Sequence, residues 1–428
     1  MSATTRMVCR LIWSGLLLTV LLRAEPLQFE MHGEAVILMN ADTRVILFER
    51  NAHVRRYPAS TTKVATGLYV LAKASDKLDL LIEAQQDALA SVTQEAKQRS
   101  GYTLPAHWLE PDGMHMGIKK GEIFSLRDLL KGMLICSAND AANVMAHALG
   151  PTVPVFMEAM NAYLREIGCM QTQFYNPHGL HDARHQTTAH DLALMGCEAL
   201  KHPLFCDIVS QPRFIRPKTN KQAAITLLQT NRLVRPGKFY YPKAIGIKTG
   251  YHAKAKKNLV AAARMEDRTL VAVFLGYSDS STLFEEAIQL FEMAFNQPKV
   301  QRTFLKAGPQ RFTLDLPKGE APLHTYLDEA LTLEYYPAEE PQAKCLLYWR
   351  TLALPILKDQ PVADLRLIDA EGEILAEASL LATEAVGLAW PYNWIDALAS
   401  LSWRGWTFVI AFACLGTGAL VWGIRRLY

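Results

Sequence analysis

Tyr57-Pro58-Ala59-Ser60-Thr61-Thr62-Lys63 is followed by the run Val64-Ala65-Thr66-Gly67-Leu68-Tyr69-Val70-Leu71-Ala72. Pro58 suits a turn leading into a helix, and the apolar run continues it as a buried one. Residues three apart on a helix share a face, so the Lys63 amine lies about one turn from the Ser60 hydroxyl. A serine becomes a nucleophile only when a nearby base takes its proton, and a neutral lysine can be that base. The S-x-x-K spacing alone is weak, because a solvated serine and a snorkelling lysine satisfy it equally well.

Two further stretches change that reading. Ser137-Ala138-Asn139 closes the apolar run Leu129-Leu130-Lys131-Gly132-Met133-Leu134-Ile135-Cys136, and Lys248-Thr249-Gly250 lies inside Ala244-Ile245-Gly246-Ile247-Lys248-Thr249-Gly250-Tyr251. S-x-x-K, S-x-N and K-T-G in that order are the signature set of the penicillin-binding and serine β-lactamase enzymes. Tyr57-Pro58-Ala59-Ser60, Ser137-Ala138-Asn139-Asp140-Ala141-Ala142, Asn176-Pro177-His178-Gly179-Leu180 and Thr187-Thr188-Ala189-His190-Asp191-Leu192-Ala193 narrow the set. Together they resemble the low-molecular-mass penicillin-binding proteins, the D-alanyl-D-alanine carboxypeptidases of peptidase family S11. The resemblance runs from about Glu34 to about Gly276. It is fainter from about Val300 to Val386, where Leu352-Ala353-Leu354-Pro355 looks like the family's second domain.

Cleaving the last residue from a peptide needs a nucleophile, a base, an oxyanion site and a grip on the terminal carboxylate. Ser60 is the expected nucleophile and Lys63 the acylation base. Burial and a nearby second ammonium, that of Lys248, would keep the Lys63 amine neutral. The resemblance implies that Ser137 relays a proton to the leaving D-alanine and that Asn139 holds the substrate amide and Lys63. Lys248 and Thr249 would meet the carboxylate, and Gly250 would let substrate lie close to the strand. The backbone N–H groups of Ser60 and Tyr251 would form the oxyanion hole. No metal or other cofactor is implied. The implied partners are a peptidoglycan peptide ending in D-Ala-D-Ala and β-lactam antibiotics. After K-T-G, many relatives carry an alanine-glycine pair a few residues on. Here His252-Ala253-Lys254-Ala255-Lys256-Lys257-Asn258 stands instead, which puts the preference among peptides in question.

Alternative readings use other residues. A class A β-lactamase needs a glutamate for the deacylating water, and Glu158 and Glu166 fall in a helical pattern that does not reproduce its loop. A D,D-endopeptidase would use the same site. A Ser-His-Asp triad through His178 and Asp182 lacks the G-x-S-x-G context around Ser60. A non-catalytic wall-binding protein would be signalled by a lost motif residue, and none is lost.

Of the 428 residues, half are apolar and a fifth charged, which suits globular domains with ample core. The net charge of +3 is too small and dispersed to argue for nucleic acid. Lys254, Lys256 and Lys257 read as a solvated hairpin face. Arg6 and Arg10 before the apolar Leu11 to Leu22 read as a secretory signal over 1–24, with an uncleaved anchor as the alternative. Gly405 to Ile424 is an uncharged 20-residue run, enough at 1.5 Å per residue to span about 30 Å of hydrocarbon. Trp403, Trp406 and Trp422 flank it, and Arg425-Arg426 follows on the side the positive-inside rule keeps in the cytoplasm. These ends place the enzyme on the inner (cytoplasmic) membrane with its body outside. Cys197 and Cys206 could pair, but buried free thiols are the plainer reading.

The expected architecture is α+β. Glu34 to Leu38 and Arg44 to Phe48 form a hairpin around Asn40-Ala41-Asp42-Thr43. A helical block follows from Ser60 to about Lys201, interrupted by a polar insertion from about Ser91 to Gly113. Ala244 to Lys248, Asn258 to Arg264 and Thr269 to Leu275 return as strands, which gives a transpeptidase-like fold with an antiparallel five-stranded sheet. A helix at Ser281 to Phe295 precedes short strands at Phe312 to Leu316, Leu331 to Tyr336, Val362 to Ile368 and Ile374 to Ala378. The resulting divisions are a catalytic domain over 25–296, a β-rich domain over 297–386, a linker over 387–402 and a transmembrane anchor over 403–424.

Overall fold

A near-continuous apolar run along a strand serves two cores at once, because successive side chains point to opposite faces. That is how the central sheet is built. The computed structural model describes residues 27–399, together with the two-residue strand Leu18–Thr19. The chain divides into two compact units, the first being Glu25–Pro298 with Pro337–Glu339.

The sheet of this unit uses β1 (Ala35–Asn40), β2 (Ile46–Arg50), β3 (Ala244–His252), β4 (Lys256–Met265) and β5 (Arg268–Tyr277). All pairs are antiparallel, in the spatial order β2-β1-β5-β4-β3. Ile37, Met39, Val260, Ala262, Val271 and Val273 face the core of the helical block. Their neighbours Val36, Leu38, Leu259, Ala261, Ala272 and Phe274 face a second core. All ten residues of β5 are buried, as a central strand covered on both faces requires. The β1–β2 turn closes on Asn40, whose Oδ1 accepts from the N–H groups of Asp42 and Thr43 at 2.8 and 3.1 Å.

The helical block comprises α1 (Thr62–Ala74), α2 (Leu126–Ile135), α3 (Asn139–Leu149), α4 (Val153–Glu166), α5 (Ala189–Leu200) and α6 (Pro203–Ser210). Almost every residue of α1 is buried, so it is apolar all round and runs through the block's centre. Ser125, Thr152 and Thr188 cap α2, α4 and α5 through their hydroxyls. Helix α7 (Ser280–Phe295), capped by Asp279, covers the other face of the sheet with Leu283, Ala287, Leu290 and Phe291. Between α1 and α2 the short strands Leu81–Glu83 and Ile123–Ser125 pair antiparallel, and a short helix at Gln94–Arg99 lies inside the expected insertion. The stretch from 201 to 243, where no element was expected, holds α6 and the hairpin Arg213–Arg216 with Ile225–Leu228.

The second unit is β-rich. Its six-stranded sheet runs Leu18–Thr19, Lys344–Trp349, Pro361–Ile368, Ile374–Ala382, Leu323–Leu327 and Gly308–Leu314, and Val300–Leu305 pairs with Leu331–Tyr335. Leu327, Leu331, Leu365, Leu367 and Leu380 form one core and Leu323, Ile356, Val362 and Val386 another. Tyr392–Ala399 is helical within the stretch expected to be a plain linker. The expected transmembrane run from Gly405 to Ile424 lies outside the described residues, as does the expected signal apart from Leu18–Thr19. No helix among the described residues is long and apolar enough to cross a membrane. Cys197 and Cys206 are both free thiols.

Candidate active site

A chain reversal just before α1 presents Ser60. Ala59 has a left-handed backbone with φ 51°, and Ala59–Thr61 makes one short 3₁₀ turn before the α-helix begins. Such a backbone is costly for a residue with a Cβ and persists only where neighbours over-determine it. Here they do. The Pro58 carbonyl accepts from the Thr61 hydroxyl at 2.8 Å. Asn258 Nδ2 donates to the carbonyls of Tyr57 and Pro58 at 2.9 and 3.0 Å, while its Oδ1 accepts from the Gly276 N–H at 2.9 Å. Gly179, at φ 91°, passes so close that a Cβ there would sit 1.8 Å from the Ala59 carbonyl. The nucleophile turn is therefore clamped between the central sheet and the loop after α4.

Lys63 is fully buried on the first turn of α1, on the same face as Ser60. Its Nζ lies 2.9 Å from Ser60 Oγ, 2.7 Å from Asn139 Oδ1 and 2.7 Å from the His178 carbonyl. Burial, and after it the Lys248 ammonium, holds its pKa well below the ordinary lysine value. A neutral amine has two N–H groups and one lone pair. Asn139 Oδ1 and the His178 carbonyl can only accept, so they take both N–H groups and leave the lone pair for the Ser60 hydroxyl.

The second motif lies where α2 gives way to α3. Ser137 is buried with a left-handed φ of 67°, and its hydroxyl makes no hydrogen bond among the described residues. Asn139 opens α3, and its backbone N–H donates to the Met114 carbonyl at 2.8 Å. Asp140 secures the same junction by accepting from the N–H groups of Met116 and Ile118 at 3.0 Å each. Cys136 is buried beside the motif, and burial pushes its thiol up to about 11.

The third motif lies on β3, an edge strand of the sheet. Lys248 is fully buried, and burial pulls its pKa down to about 7. Its Nζ donates to the Thr249 carbonyl at 3.0 Å and to Thr230 Oγ1 at 3.3 Å, and Thr249 Oγ1 donates to Thr230 Oγ1 at 2.8 Å. A Cβ on Gly250 would lie 2.8 Å from the Pro58 carbonyl and 3.0 Å from the Ser60 nitrogen. Beside the expected approach of substrate to Gly250 there is thus one within the protein: the nucleophile turn itself leaves no room for a side chain there. It also sets the N–H of Ser60 beside the strand that carries Tyr251, whose side chain is exposed.

All the motif residues expected at the site thus sit around Ser60. Thr230 and Asn258 were not anticipated, and only their position before and after K-T-G in the chain hints at them. Glu158 and Glu166 lie on the exposed face of α4. His178 is no triad member: its Nε2 donates to the His107 carbonyl at 3.1 Å, its Nδ1 accepts from the Leu180 N–H at 3.2 Å, and burial keeps the ring neutral. Asp182 is occupied by Arg184 at 2.9 Å.

The sequence profile of the D-alanyl-D-alanine carboxypeptidases, peptidase S11, matches residues 22–279. The chain is 27% identical over 363 residues to the D-alanyl-D-alanine carboxypeptidase DacF of Bacillus subtilis, spanning 82% of this chain and 85% of that protein. It is 33% identical over 264 residues to the D-alanyl-D-alanine carboxypeptidase DacB2 of Mycobacterium tuberculosis, spanning 60% and 81%. Its fold is similar to the crystal structure of the D-alanyl-D-alanine carboxypeptidase DacD from Francisella tularensis, with a TM-score of 0.58 at 23% identity, covering 85% of this chain and 96% of that one. With its three motifs drawn around one buried lysine and the family's profile matching more than half of its length, this chain belongs to the D-alanyl-D-alanine carboxypeptidase family, peptidase S11.

Proposed function

We propose that the protein is a serine-type D-alanyl-D-alanine carboxypeptidase that removes the terminal D-alanine of peptidoglycan peptides through a Ser60 acyl-enzyme. The observation that carries this reading is the Lys63 amine, buried, held neutral and 2.9 Å from Ser60 Oγ with both its N–H groups engaged elsewhere. Lys63 takes the Ser60 proton as Oγ attacks the penultimate carbonyl. The oxyanion meets the N–H groups of Ser60 and Tyr251. The C–N bond breaks as the Ser137 hydroxyl gives its proton to the departing D-alanine nitrogen and takes in exchange the proton that Lys63 carries, which leaves Lys63 neutral again. Water, deprotonated by Lys63, then releases the shortened peptide and restores Ser60.

Lys248 and Thr249 hold the substrate carboxylate, and Asn139 holds both the Lys63 amine and the substrate amide. The carboxylate also favours the protonated form of Lys248, and that charge favours the neutral form of Lys63. A β-lactam ring offers the same carboxylate and a strained amide, so penicillin acylates Ser60. The apolar segments at the two ends of the sequence support a cleaved signal over 1–24 and a membrane anchor over 403–424. That puts the catalytic domain on the extracytoplasmic side of the inner membrane.

The test is to incubate wild type and Ser60→Ala with a peptide ending in D-Ala-D-Ala and measure released D-alanine. Release from wild type alone supports the reading, and release from neither would sink it. Steady turnover of penicillin in place of a long-lived adduct would favour a β-lactamase.

A further inference from the structure

The stretch after K-T-G that sets this chain apart from many relatives builds one wall of the substrate groove. The inference drawn from it rests on the carboxypeptidase reading above. A peptide whose terminal carboxylate sits at Lys248 and Thr249, and which adds antiparallel to the edge strand β3, runs its N-terminal side past Tyr251 and His252. At about 3.3 Å per residue, its third residue from the end lies beside His252 and the Ala253-Lys254 turn.

His181 is the centre of that wall. Its ring centroid lies 4.8 Å from that of Tyr57, 5.3 Å from that of Tyr102 and 5.3 Å from that of His252. Tyr102 comes from the insertion between α1 and α2 and is held there with a left-handed φ of 60°. The Lys254 ammonium lies 5.6 Å from the centre of the Tyr102 ring. His181 is only 9% exposed, yet neither of its ring nitrogens has a hydrogen-bond partner among the described residues. The buried hydroxyl of Tyr102 has none either. Folded proteins leave few buried polar atoms unpaired, and three in one cluster call for a partner that the protein itself does not supply.

Charge decides what kind of ligand. His252 Nδ1 accepts from the Ala255 N–H at 3.0 Å, so its neutral ring carries the proton on Nε2 and presents a donor. Tyr57 and Lys254 also line a cavity of about 250 Å3 with Arg55, Arg56 and Glu34. Glu34 is already paired with Arg56 at 3.4 Å and Lys256 at 2.7 Å. A side chain ending in an amine meets cations here, whereas one ending in a carboxylate meets an ammonium and N–H and O–H donors. We propose that Tyr102, His181, His252 and Lys254 form the subsite for the side chain of the third residue from the peptide's C-terminus, and that they select one ending in a carboxylate.

The experiment compares kcat/KM for D-alanine release from two peptides, Nα-acetyl-meso-diaminopimelyl-D-Ala-D-Ala and the same peptide with its side-chain carboxylate amidated. The free carboxylate is expected to be favoured by about tenfold or more in the wild type. Lys254→Met and His181→Phe are each expected to bring that ratio down towards one, with covalent penicillin labelling reporting that Ser60 is assembled in each variant. Equal use of the two peptides by wild type would overturn the subsite and leave the carboxypeptidase reading standing. So would a ratio that survives in both variants. Release from neither peptide would overturn the carboxypeptidase reading and the subsite with it.

Discussion

Asn258→Ala tests whether the nucleophile turn is held by the sheet. Asn258 is 2% exposed and makes three hydrogen bonds, to the carbonyls of Tyr57 and Pro58 and from the N–H of Gly276. Truncation leaves the Pro58 carbonyl with the Thr61 hydroxyl, but strips the Tyr57 carbonyl and the Gly276 N–H of this partner. Two orphaned buried groups at about 1–3 kcal/mol each, partly relieved by water, put the loss at about 2–4 kcal/mol. For a unit of this size that lowers Tm by about 5–15 °C. Because Tyr57 and Pro58 lead directly into Ser60, the penicillin acylation rate should fall with stability. Asn258→Asp refines the test, since it keeps the acceptor for Gly276 but turns a carboxylate towards two carbonyls. Burial against those carbonyls raises its folded pKa, so the stability of that variant is highest below the unfolded carboxyl pKa of about 4 and falls as pH rises through the folded value. Thermal unfolding across pH and stopped-flow acylation are the measurements. A loss under about 1 kcal/mol with wild-type acylation in Asn258→Ala would refute the clamp.

Lys248→Met should raise Tm at pH 7, because a fully buried ammonium is replaced by an apolar chain of similar length, while KM for a D-Ala-D-Ala peptide rises sharply. A lower Tm would contradict that account. The acylation rate of wild type should stay flat through neutral pH and fall only as pH drops through the lowered pKa of Lys63 and its amine takes a proton. Peptide binding should weaken as pH rises past about 7 and free Lys248 loses its charge, a split visible in kcat and KM profiles. Gly250→Ala puts a Cβ 2.8 Å from a backbone carbonyl and should slow acylation about a hundredfold by displacing Ser60, as a penicillin-labelling time course would register.

The residues that do chemistry were legible because each motif is contiguous, and its local backbone, a helix start, a helix junction or a strand, follows from its own neighbours. The residues that hold them were not. Asn258 reaches Tyr57 across 201 positions through the register of β4 and β3, and no local pattern encodes that distance. The His178 carbonyl that fixes Lys63 is backbone, so no side chain announces it. In the fold, β4 and β5 were anticipated because they are near-continuous apolar runs divided by a polar turn, and β3 because its apolar start leads into K-T-G. Val300–Leu305 and Lys344–Trp349 were missed because a small sheet buries them only partly, and Leu323–Leu327 because its buried face carries the polar Thr325 between two leucines, which leaves the five residues without an apolar run.

The open edge of β3 bears on more than substrate. An unpaired strand edge is a template on which any extended chain can grow, and proteins guard against it with inward charges and obstructions. Lys248 is such a charge, fully buried on the edge strand itself. An apolar strand from another molecule would pair there against an uncompensated ammonium, whereas the tip of a peptide brings a carboxylate to it. Substitutions that remove this ammonium therefore carry a colloidal risk that turnover assays do not register and light scattering does.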